Sequence, residues 1–342
     1  METNRFKKAL EGKDFVYTLE LVPGRGARGK PLEETMRTAE KAAKGKLVHA
    51  LSITDNAGGH PALFPNVLGR EICGMGMNPI IHFTCKDKNR NQIESILYAL
   101  DRIGIQNLLV MTGDYPLYGY EGKSKPVYDL DSIQLLRLIK AMNEGKCIEG
   151  KAPGGGSACP PTHFLKGCAV SPFKMQEAEA FAQYFKLIKK ARMGADFIIT
   201  QVGYDARKFD EVLRFMRGEG IQIPIIGNVY VLTRAVAGVM NRGDVPGCVV
   251  TDDLHRILEE ESRAPDKGKA ARLTRAAKLV AVLKGIGYQG VHIGGPGLKY
   301  EDVEWVIGKS QEFSANWQEW VREFSFPQEK GFYLFMEDSK TG

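Results

Sequence analysis

Leu108-Leu109-Val110-Met111-Thr112-Gly113-Asp114-Tyr115-Pro116 is an apolar run that stops at a Gly-Asp pair. A short apolar run bounded by turn residues is typical of a buried strand, so we predict a strand that ends just before Asp114. In parallel α/β folds, ligands bind at the carboxyl ends of the strands. Asp114 is therefore the first candidate for a functional residue.

Similar short apolar runs recur along the chain, and helical patterns separate them. The predicted strands are 15–21, 48–54, 79–85, 107–112, 164–170, 196–202, 223–229 and 290–293. The predicted helices are 31–45, 62–75, 89–104, 128–144, 175–193, 206–219, 268–287 and 300–323. This alternation predicts parallel strands joined by crossover helices. Eight repeats predict an α/β fold of the (β/α)8 TIM barrel type, with an open doubly wound sheet as the alternative.

Two connections are longer than a simple repeat needs. Residues 115–162 contain a helix and then the Gly/Pro-rich segment 151–161, which either shapes the site or is a surface insertion. Residues 230–289 contain additional helical patterns at 232–242 and 253–264. We therefore predict one barrel domain over residues 1–323, with extra helices.

An aromatic C-terminal tail, residues 324–342, follows the predicted barrel. Its apolar residues are Phe324, Phe326, Phe332, Tyr333, Leu334, Phe335 and Met336. So much apolar surface must pack against something. The two hypotheses are docking onto the chain's own barrel and contact with a partner subunit.

The composition is that of a soluble globular protein, with 342 residues, 43% hydrophobic and 26% charged. Its 47 basic and 41 acidic residues are interleaved, so the net charge of +6 favours small anionic ligands and not nucleic acid. We expect no membrane span and a cytoplasmic location, because no apolar run reaches about 20 residues and no signal peptide is evident. The six cysteines lack a CxxC pair, so we expect mostly buried thiols. Cys147, Cys159, His163 and Cys168 lack zinc-site spacing, and no metal site is predicted.

Glu20 lies within Thr18-Leu19-Glu20-Leu21-Val22-Pro23-Gly24, near the end of the first predicted strand. Burying an ionised carboxylate among apolar residues is unfavourable unless it is paired or its pKa rises. A raised pKa is what a general acid needs near neutral pH. The alternative is a structural ion pair with Arg25 or Arg28.

Other predicted strands also end in polar residues. Strand two runs into Ser52–Gly59, where glycines allow a ligand to approach backbone N–H groups. His82 in strand three is either a hydrogen-bonded core residue or a ligand contact. Gln201 ends strand six and offers both a donor and an acceptor to the edge of an amide-like ring.

Phosphate contacts could come from two further places. One is the lysine-rich end of helix 175–193, which is either a solvated surface or a phosphate clamp and contains Lys186, Lys189 and Lys190. The other is the turn Gly294–Gly297 after strand eight. P-loop, Rossmann and α/β-hydrolase motifs are absent from the sequence.

Five motifs, at the ends of predicted strands one, two, three, four and six, occur in the same order as in a known family. They are Glu20 before x-x-Pro23, Thr54 before x-x-Ala-Gly-Gly, His82-x-Thr-Cys, Thr112-Gly113-Asp114-x-Pro116 and Gly194-Ala195-x-x-x-Ile-Thr200-Gln201. Together they resemble the 5,10-methylenetetrahydrofolate reductase family over residues 13–310.

The resemblance implies a barrel that holds FAD at the strand carboxyl ends, with the pterin of folate stacked on the flavin. It implies that Glu20 is the general acid, that Asp114 acts near flavin and folate, and that Gln201 contacts the pterin. The cofactor-binding residues that it implies are Thr54, His82, Thr112, Gly113, Asp114, Lys189 and Lys190. The expected reaction interconverts 5,10-methylenetetrahydrofolate and 5-methyltetrahydrofolate.

Several positions depart from the family pattern. Thr112 replaces an arginine, Ser171-Pro172-Phe173 replaces Tyr-Pro-Glu, and Lys189-Lys190 replaces Arg-Lys, which loses a bidentate fork. The contacts expected after strands seven and eight are not evident. The electron partner therefore stays open between NADH, NADPH, ferredoxin and a partner subunit at the C-terminal tail. Homo-oligomerisation also stays open. Ala169–Phe173 and Val245–Gly247 resemble the branch of the family found in anaerobic one-carbon pathways.

Three rival functions remain at this point. One is a folate-binding barrel methyltransferase that passes methyl to a corrinoid protein without a flavin. The second is a flavin-independent reductase in which reduced nicotinamide transfers hydride directly to folate. The third is a non-catalytic subunit of a redox complex, against which the presence of Glu20 argues.

Overall fold

The computed structural model describes residues 4–12, 14–116, 119–146 and 159–336. Eight strands follow one another in the order β1 to β8 and form a closed barrel. They are β1 Val16–Leu21, β2 Ala50–Ile53, β3 Pro79–Thr84, β4 Asn107–Met111, β5 Leu165–Val170, β6 Phe197–Thr200, β7 Ile225–Tyr230 and β8 Gly290–Gly294. The predicted (β/α)8 TIM barrel is confirmed, and the open sheet is excluded.

Apart from α1, the helices overlap segments in which the sequence predicts helical patterns. They are α1 Arg5–Glu11, α2 Lys30–Gly45, α3 Pro65–Gly74, α4 Arg90–Arg102, α5 Ser132–Asn143, α6 Glu177–Arg192, α7 Ala206–Gly218, α8 Arg234–Asn241, α9 Asp252–Glu261, α10 Lys269–Ile286, α11 Tyr300–Phe313 and α12 Trp317–Val321. The helix predicted over 300–323 is divided by a 3₁₀ turn at Ser314–Asn316. Among the described residues, no helix is both long and apolar enough to cross a membrane.

Helix ends are fixed by side-chain caps. Asp131 accepts hydrogen bonds from the backbone N–H groups of Ile133 and Gln134, and the Asp131 backbone N–H donates to the Gln134 side-chain oxygen. Asp205 caps α7 by accepting from Arg207 N. Such caps satisfy N–H groups that have no partner within the first helical turn.

By contact clustering the chain forms two compact units, of which the first comprises Met1–Gly12, Leu21–Ala169 and Lys189–Ile198. In this unit β2, β3, β4 and β5 pair in parallel. Phe6 of α1 packs edge-on against Phe197, with ring centroids 5.1 Å apart. Gly167 is required for this packing, because a Cβ there would lie 2.2 Å from the Phe197 ring.

The second unit comprises Lys13–Glu20, Val170–Ile188 and Ile199–Gly342. Its β1 and β7 both pair in parallel with β8, and His292 is in register with Thr18 on one side and Asn228 on the other. Side chains alternate between the two faces of a strand. A Cβ on Gly227 would meet Leu283 of α10 at 2.6 Å, so Asn228 points to the opposite face, into the barrel.

The long connection over 230–289 contains α8, α9 and α10, which confirms the predicted extra helices. Its first part packs into a buried cluster together with Val202 and Tyr204, which follow β6; the other members are Leu232, Ala237, Met240, Cys248, Val250, Leu254 and Leu258. Of the 115–162 connection, α5 is observed as predicted, whereas the Gly/Pro-rich segment lies largely outside the described residues.

The C-terminal tail lies against α6 and α7 of its own chain. Phe332 N donates to Met175 O at 2.7 Å, and the Phe332 ring lies 5.9 Å from that of Phe181. Leu334 N donates to Glu211 Oε2 at 2.6 Å. Docking onto the chain itself is therefore observed for the tail as far as residue 336. The domain boundary at residue 323 stays a prediction.

Candidate functional site

Glu20 lies near the carboxyl end of β1, beside a buried histidine that the sequence analysis did not select. Glu20 Oε2 is 3.5 Å from His292 Nε2, and the Glu20 side chain is 17% exposed. The other ring nitrogen of His292, Nδ1, is 2.8 Å from Thr18 Oγ1. The Glu20 carboxyl group is thus partly accessible, as a proton donor must be, and it contacts the imidazole of His292.

Two neighbours of Glu20 shape its surroundings. A Cβ on Gly294 would lie 3.0 Å from Glu20 Oε1 and 3.2 Å from Glu20 Cβ, so the glycine makes room for the carboxyl group. Tyr230 ends β7, and burial raises the pKa of its hydroxyl to about 12, with the Glu20 and Cys248 charges acting in the same direction. Tyr230 therefore stays neutral at physiological pH.

Gln201 follows β6 and is held at both ends. Its backbone N–H donates to Val170 O at 2.8 Å, and its side-chain Oε1 accepts from Val202 N at 2.9 Å. Its Nε2 lies 3.3 Å from where a Cβ would stand on Gly247. Because Oε1 is engaged by the backbone, Nε2 is oriented as the donor end of this amide.

Asp114 follows β4 in a turn that only glycine can make comfortably. Gly113 has φ +90°, and a Cβ there would lie 2.9 Å from Thr84 Cβ and 3.1 Å from Lys86 Cδ. Asp114 Oδ2 accepts from Gly58 N at 3.1 Å, and Gly58 also has a positive φ of 62°. The turns after β2 and β4 are thereby tied together, as expected if both line one site.

Asp55, just after the end of β2, is the centre of a buried polar cluster. Lys88 Nζ lies 2.6 Å from Asp55 Oδ2, and both side chains are almost completely buried. Thr84 adds two hydrogen bonds to the same oxygen, at 2.7 Å from Oγ1 and 3.2 Å from its backbone nitrogen. Lys86 is also buried and donates to Asn56 O. This cluster orders the β2 and β3 turns.

Three of the predicted flavin-binding residues of the first unit, Thr54, His82 and Thr112, have hydroxyl or imidazole groups. Thr54 and His82 are buried, and His82 Nε2 is 2.7 Å from Ser52 Oγ. Thr112 is exposed, and its hydroxyl donates to Ser132 Oγ at 3.3 Å. Hydroxyl, imidazole and peptide groups suit the uncharged ring system of a flavin. These residues therefore fit the ring of the expected cofactor.

The two lysines predicted to contact phosphate differ in position. Lys189 is exposed near the carboxyl end of α6, whereas Lys190 is buried. Lys190 Nζ donates to Ala169 O at 2.6 Å, so its ammonium is engaged by the backbone of β5. An ammonium has three N–H donors, so a phosphate contact from Lys190 does not require that this bond be broken. The phosphate role of the pair stays a prediction.

The cysteines behave mainly as core residues where the structure describes them. Cys85, Cys168 and Cys248 are buried, whereas Cys73 and Cys159 are partly buried. Burial raises the pKa of the Cys85 thiol to about 12 and that of Cys168 to about 11. These two thiols are inert at neutral pH. Cys147 lies outside the described residues.

The sequence analysis missed His292, Thr18, Lys88 and the role of Asp55. A histidine or threonine on an apolar strand is usually a core residue, and the two lysines of Lys86-Asp87-Lys88 resemble surface charges. One available signal was the alternation of side chains in a strand, by which residues two apart point to the same face. It puts Thr18 on the same face as Glu20 in β1, and His292 on the same face as Gly294 in β8. For Lys88 we find no comparable signal.

Comparison with known proteins gives one consistent family. The sequence model described as methylenetetrahydrofolate reductase matches residues 5–302. A probable methylenetetrahydrofolate reductase (NADPH) of Caenorhabditis elegans is 24% identical over 288 residues, covering 81% of this chain and 40% of the relative. A probable methylenetetrahydrofolate reductase (NADH) of Oryza sativa subsp. japonica is 28% identical over 186 residues, covering 52% of this chain and 29% of the relative. The chain thus spans less than half the length of these relatives.

A solved structure shares the fold. It is described as an uncharacterized protein from Clostridium thermocellum that binds two copies of 5-methyl-5,6,7,8-tetrahydrofolic acid. The TM-score is 0.59, with 13% identity over 90% of this chain and 98% of that chain. At this identity the likeness concerns the fold alone, and it agrees with the closed barrel described above.

Proposed function

Because the chain belongs to the methylenetetrahydrofolate reductase family, we propose that it is a flavin-dependent oxidoreductase that interconverts 5,10-methylenetetrahydrofolate and 5-methyltetrahydrofolate. The observation that carries the proposal is Glu20, a partly exposed carboxyl group near the carboxyl end of β1 with His292 behind it. Ligands of TIM barrels bind at this end of the strands. The motifs that resemble the family occupy the same ends.

Glu20 is proposed as the proton donor that opens the five-membered ring of the substrate. The methylene carbon bridges N5 and N10, and the bond to N10 must break before the carbon can accept hydride. The Glu20 O–H bond breaks as an N10–H bond forms, and the electrons of the carbon–N10 bond stay on N10. An N5-iminium cation results, and Glu20 later regains a proton from water.

Asp114 and Gln201 are proposed to act on the same substrate without transferring a proton. The Asp114 carboxylate favours the iminium cation electrostatically, and its bond to Gly58 N holds it in place. The Gln201 Nε2 amide group donates to an acceptor on the pterin edge, because its Oε1 is already used by Val202 N.

FAD is the proposed cofactor; when bound and reduced by the electron donor, it would supply the hydride that reduces the methylene carbon. The residues proposed to hold its ring system are Thr54, His82, Thr112, Gly113 and Asp114. Lys189 and Lys190 are proposed for its phosphates, Lys190 through an ammonium group that also donates to Ala169 O.

The electron donor is proposed to be a reduced nicotinamide nucleotide. The names of the two relatives differ in this respect, since one specifies NADPH and the other NADH. A redox partner at the C-terminal tail is a second proposal, which would use surface beyond the contacts with α6 and α7. We also propose a cytoplasmic location, where folate and nicotinamide pools are available.

The visible absorbance spectrum of the purified protein tests the proposal. A yellow chromophore should be present or be taken up with FAD, and anaerobic 5-methyltetrahydrofolate should bleach it. Titration of the oxidised protein with NADH and with NADPH, in separate cells, identifies the donor by which one bleaches the chromophore.

The same samples separate the rivals. A colourless, folded protein that takes up no FAD would overturn the flavin claim. If such a protein still oxidised NADH or NADPH with methylenetetrahydrofolate, the flavin-independent reductase would be correct. If it instead demethylated 5-methyltetrahydrofolate only with a corrinoid acceptor, the methyltransferase would be correct.

A further inference from the structure

We propose that His292 is a positioning residue for Glu20, which directs the acidic proton to Glu20 Oε1. The inference deepens the proposed function and rests on the role of Glu20 as proton donor. His292 is 1% exposed, and its two ring nitrogens face Thr18 Oγ1 at 2.8 Å and Glu20 Oε2 at 3.5 Å. A buried imidazole between a hydroxyl and a carboxylate has its orientation fixed by both.

The charge of Glu20 selects the tautomer of His292. A bare Nε2 would present a lone pair to the carboxylate, whereas Nε2–H donates to it. The neutral ring then has no proton on Nδ1, which must accept from the Thr18 hydroxyl. Thr18 Oγ1 is 2.8 Å from Nδ1 but 3.4 Å from Val291 O, so this donor has its better contact at the ring. The contacts of His292 with Thr18 and with Glu20 are then both donor–acceptor pairs.

This arrangement makes the two carboxyl oxygens of Glu20 different. Oε2 accepts from His292, so a proton that Glu20 gains goes to Oε1. Oε1 lies on the side of Gly294, where a Cβ would approach it to 3.0 Å. The absence of a side chain at position 294 therefore leaves room beside the oxygen that carries the proton.

The histidine is expected to affect the chemical step more than binding, because it contacts Glu20, the proposed proton donor. A carboxyl group that is free to rotate presents its proton in the productive direction less often. Loss of the N–H donor should slow proton transfer to N10, whereas the affinity for folate depends on groups such as Gln201.

Two variants at one position test the inference. His292→Leu removes both nitrogens with similar bulk, whereas His292→Gln keeps an amide N–H that can reach Glu20. We expect single-turnover reduction of methylenetetrahydrofolate to slow about 10- to 100-fold in His292→Leu. His292→Gln should recover most of that rate, while the folate dissociation constant changes less than about twofold in both. Equal rates in the two variants, or an unchanged rate in His292→Leu, would overturn the inference.

The tautomer provides a readout that does not depend on turnover. In protein labelled with ¹⁵N-histidine, His292 should show a protonated Nε2 and a bare Nδ1 at neutral pH, and Thr18→Val should perturb the Nδ1 signal. A proton on Nδ1 in the wild-type protein contradicts the inference. If the wild-type protein shows the expected tautomer but reduces no folate, the proposed function fails and the geometry of His292 stands. If the protein is active but has the other tautomer, the positioning inference alone fails.

Discussion

Asp55 and Glu20 are both acidic residues near the carboxyl ends of barrel strands, yet they have opposite surroundings. Asp55 is 4% exposed and contacts the Lys88 ammonium at 2.6 Å together with two groups of Thr84. The Glu20 side chain is 17% exposed and faces a histidine at 3.5 Å. Residue type and strand position are therefore not sufficient to identify the chemical acid.

The partner decides what each carboxylate can do. A buried carboxylate paired with an ammonium stays ionised, and breaking such a pair is strongly unfavourable. A histidine can act as a neutral hydrogen-bond donor, so it does not hold its partner in the charged form as strongly. The structure therefore favours Asp55 as a determinant of stability and Glu20 as a determinant of rate.

Glu20→Gln is expected to have the largest effect on activity. The amide cannot donate a proton to N10, so folate reduction should fall by about 10²- to 10⁴-fold. Folding and flavin content should be unchanged, because Gln has the shape of Glu. Stopped-flow reduction of methylenetetrahydrofolate measures the rate. Glu33→Gln on the exposed surface of α2 is the matched control and should be as active as the wild type. Unchanged turnover in Glu20→Gln would remove Glu20 from the acid role.

Lys88→Met is expected to have the largest effect on stability. It leaves the buried charge of Asp55 unpaired, which should lower the free energy of unfolding by about 3–5 kcal/mol. Urea denaturation measures the loss. The double variant Asp55→Asn/Lys88→Met removes the charge as well and should recover a large part of it.

Arg90→Met is the control for a surface ion pair. Arg90 pairs with Asp129 at 2.8 Å, but the Arg90 side chain is 65% exposed. Exposed pairs contribute little, so this change should shift the midpoint far less than Lys88→Met. Equal shifts in both variants would show that the buried pair is no more important than the exposed one.

Gly294→Ala should disturb Glu20 without removing it. The added Cβ would lie 3.0 Å from Glu20 Oε1, which must move by a few tenths of an ångström. We expect folate turnover to fall about tenfold, since small displacements of reacting groups lower rates strongly. Gly308→Ala in α11 is the control, because nothing lies within 4 Å of the added Cβ. A Gly294→Ala enzyme with wild-type kinetics would mean that Oε1 does not carry the reactive proton.

The fold followed from the sequence because its determinants are local. Apolar runs and helical periodicity are properties of neighbouring residues, and each predicted strand overlaps the observed one. Helix α1 was not predicted, since seven charged and apolar residues give too short a pattern. Its position depends on a cap from Asn4 and on the packing of Phe6 against the distant Phe197.

The candidate site could be predicted from the sequence only in part, because residues that contact each other in it are far apart in the chain. The strand-end positions of Glu20, Asp114 and Gln201 were predictable from the ends of apolar runs. The pairing of Glu20 with His292 joins residues 272 positions apart. Lys88 and Lys190 have the sequence appearance of surface lysines, and only the three-dimensional structure shows that both ammonium groups are buried.

Asp205 is a third acid that can be compared with Asp55 and Glu20. Replacing Asp205 by Asn should have the smallest effect of these predictions, and that effect on the free energy of unfolding should depend on pH. It caps α7, and its Oδ2 accepts from the hydroxyl of Tyr333 in the tail at 2.5 Å. Burial raises the pKa of Asp205 above 3.8, against the opposing effect of the Tyr333 hydrogen bond. The folded state therefore holds the proton more tightly than the unfolded chain. Its contribution to the free energy of unfolding falls as pH rises from about 3.8 through the raised pKa.

Asp205→Asn does not titrate, so its stability relative to the wild type should increase as pH rises through this window. Asp129→Asn should show the opposite sign, because the hydrogen bond from Arg90 lowers the pKa of Asp129 to about 2. Asp129 therefore stabilises the fold above about 3.8, and that contribution is lost as pH falls towards 2. Urea denaturation of the three proteins across roughly pH 2 to 7 measures both differences. Parallel curves for the two variants would show that burial and ion pairing do not distinguish these carboxylates.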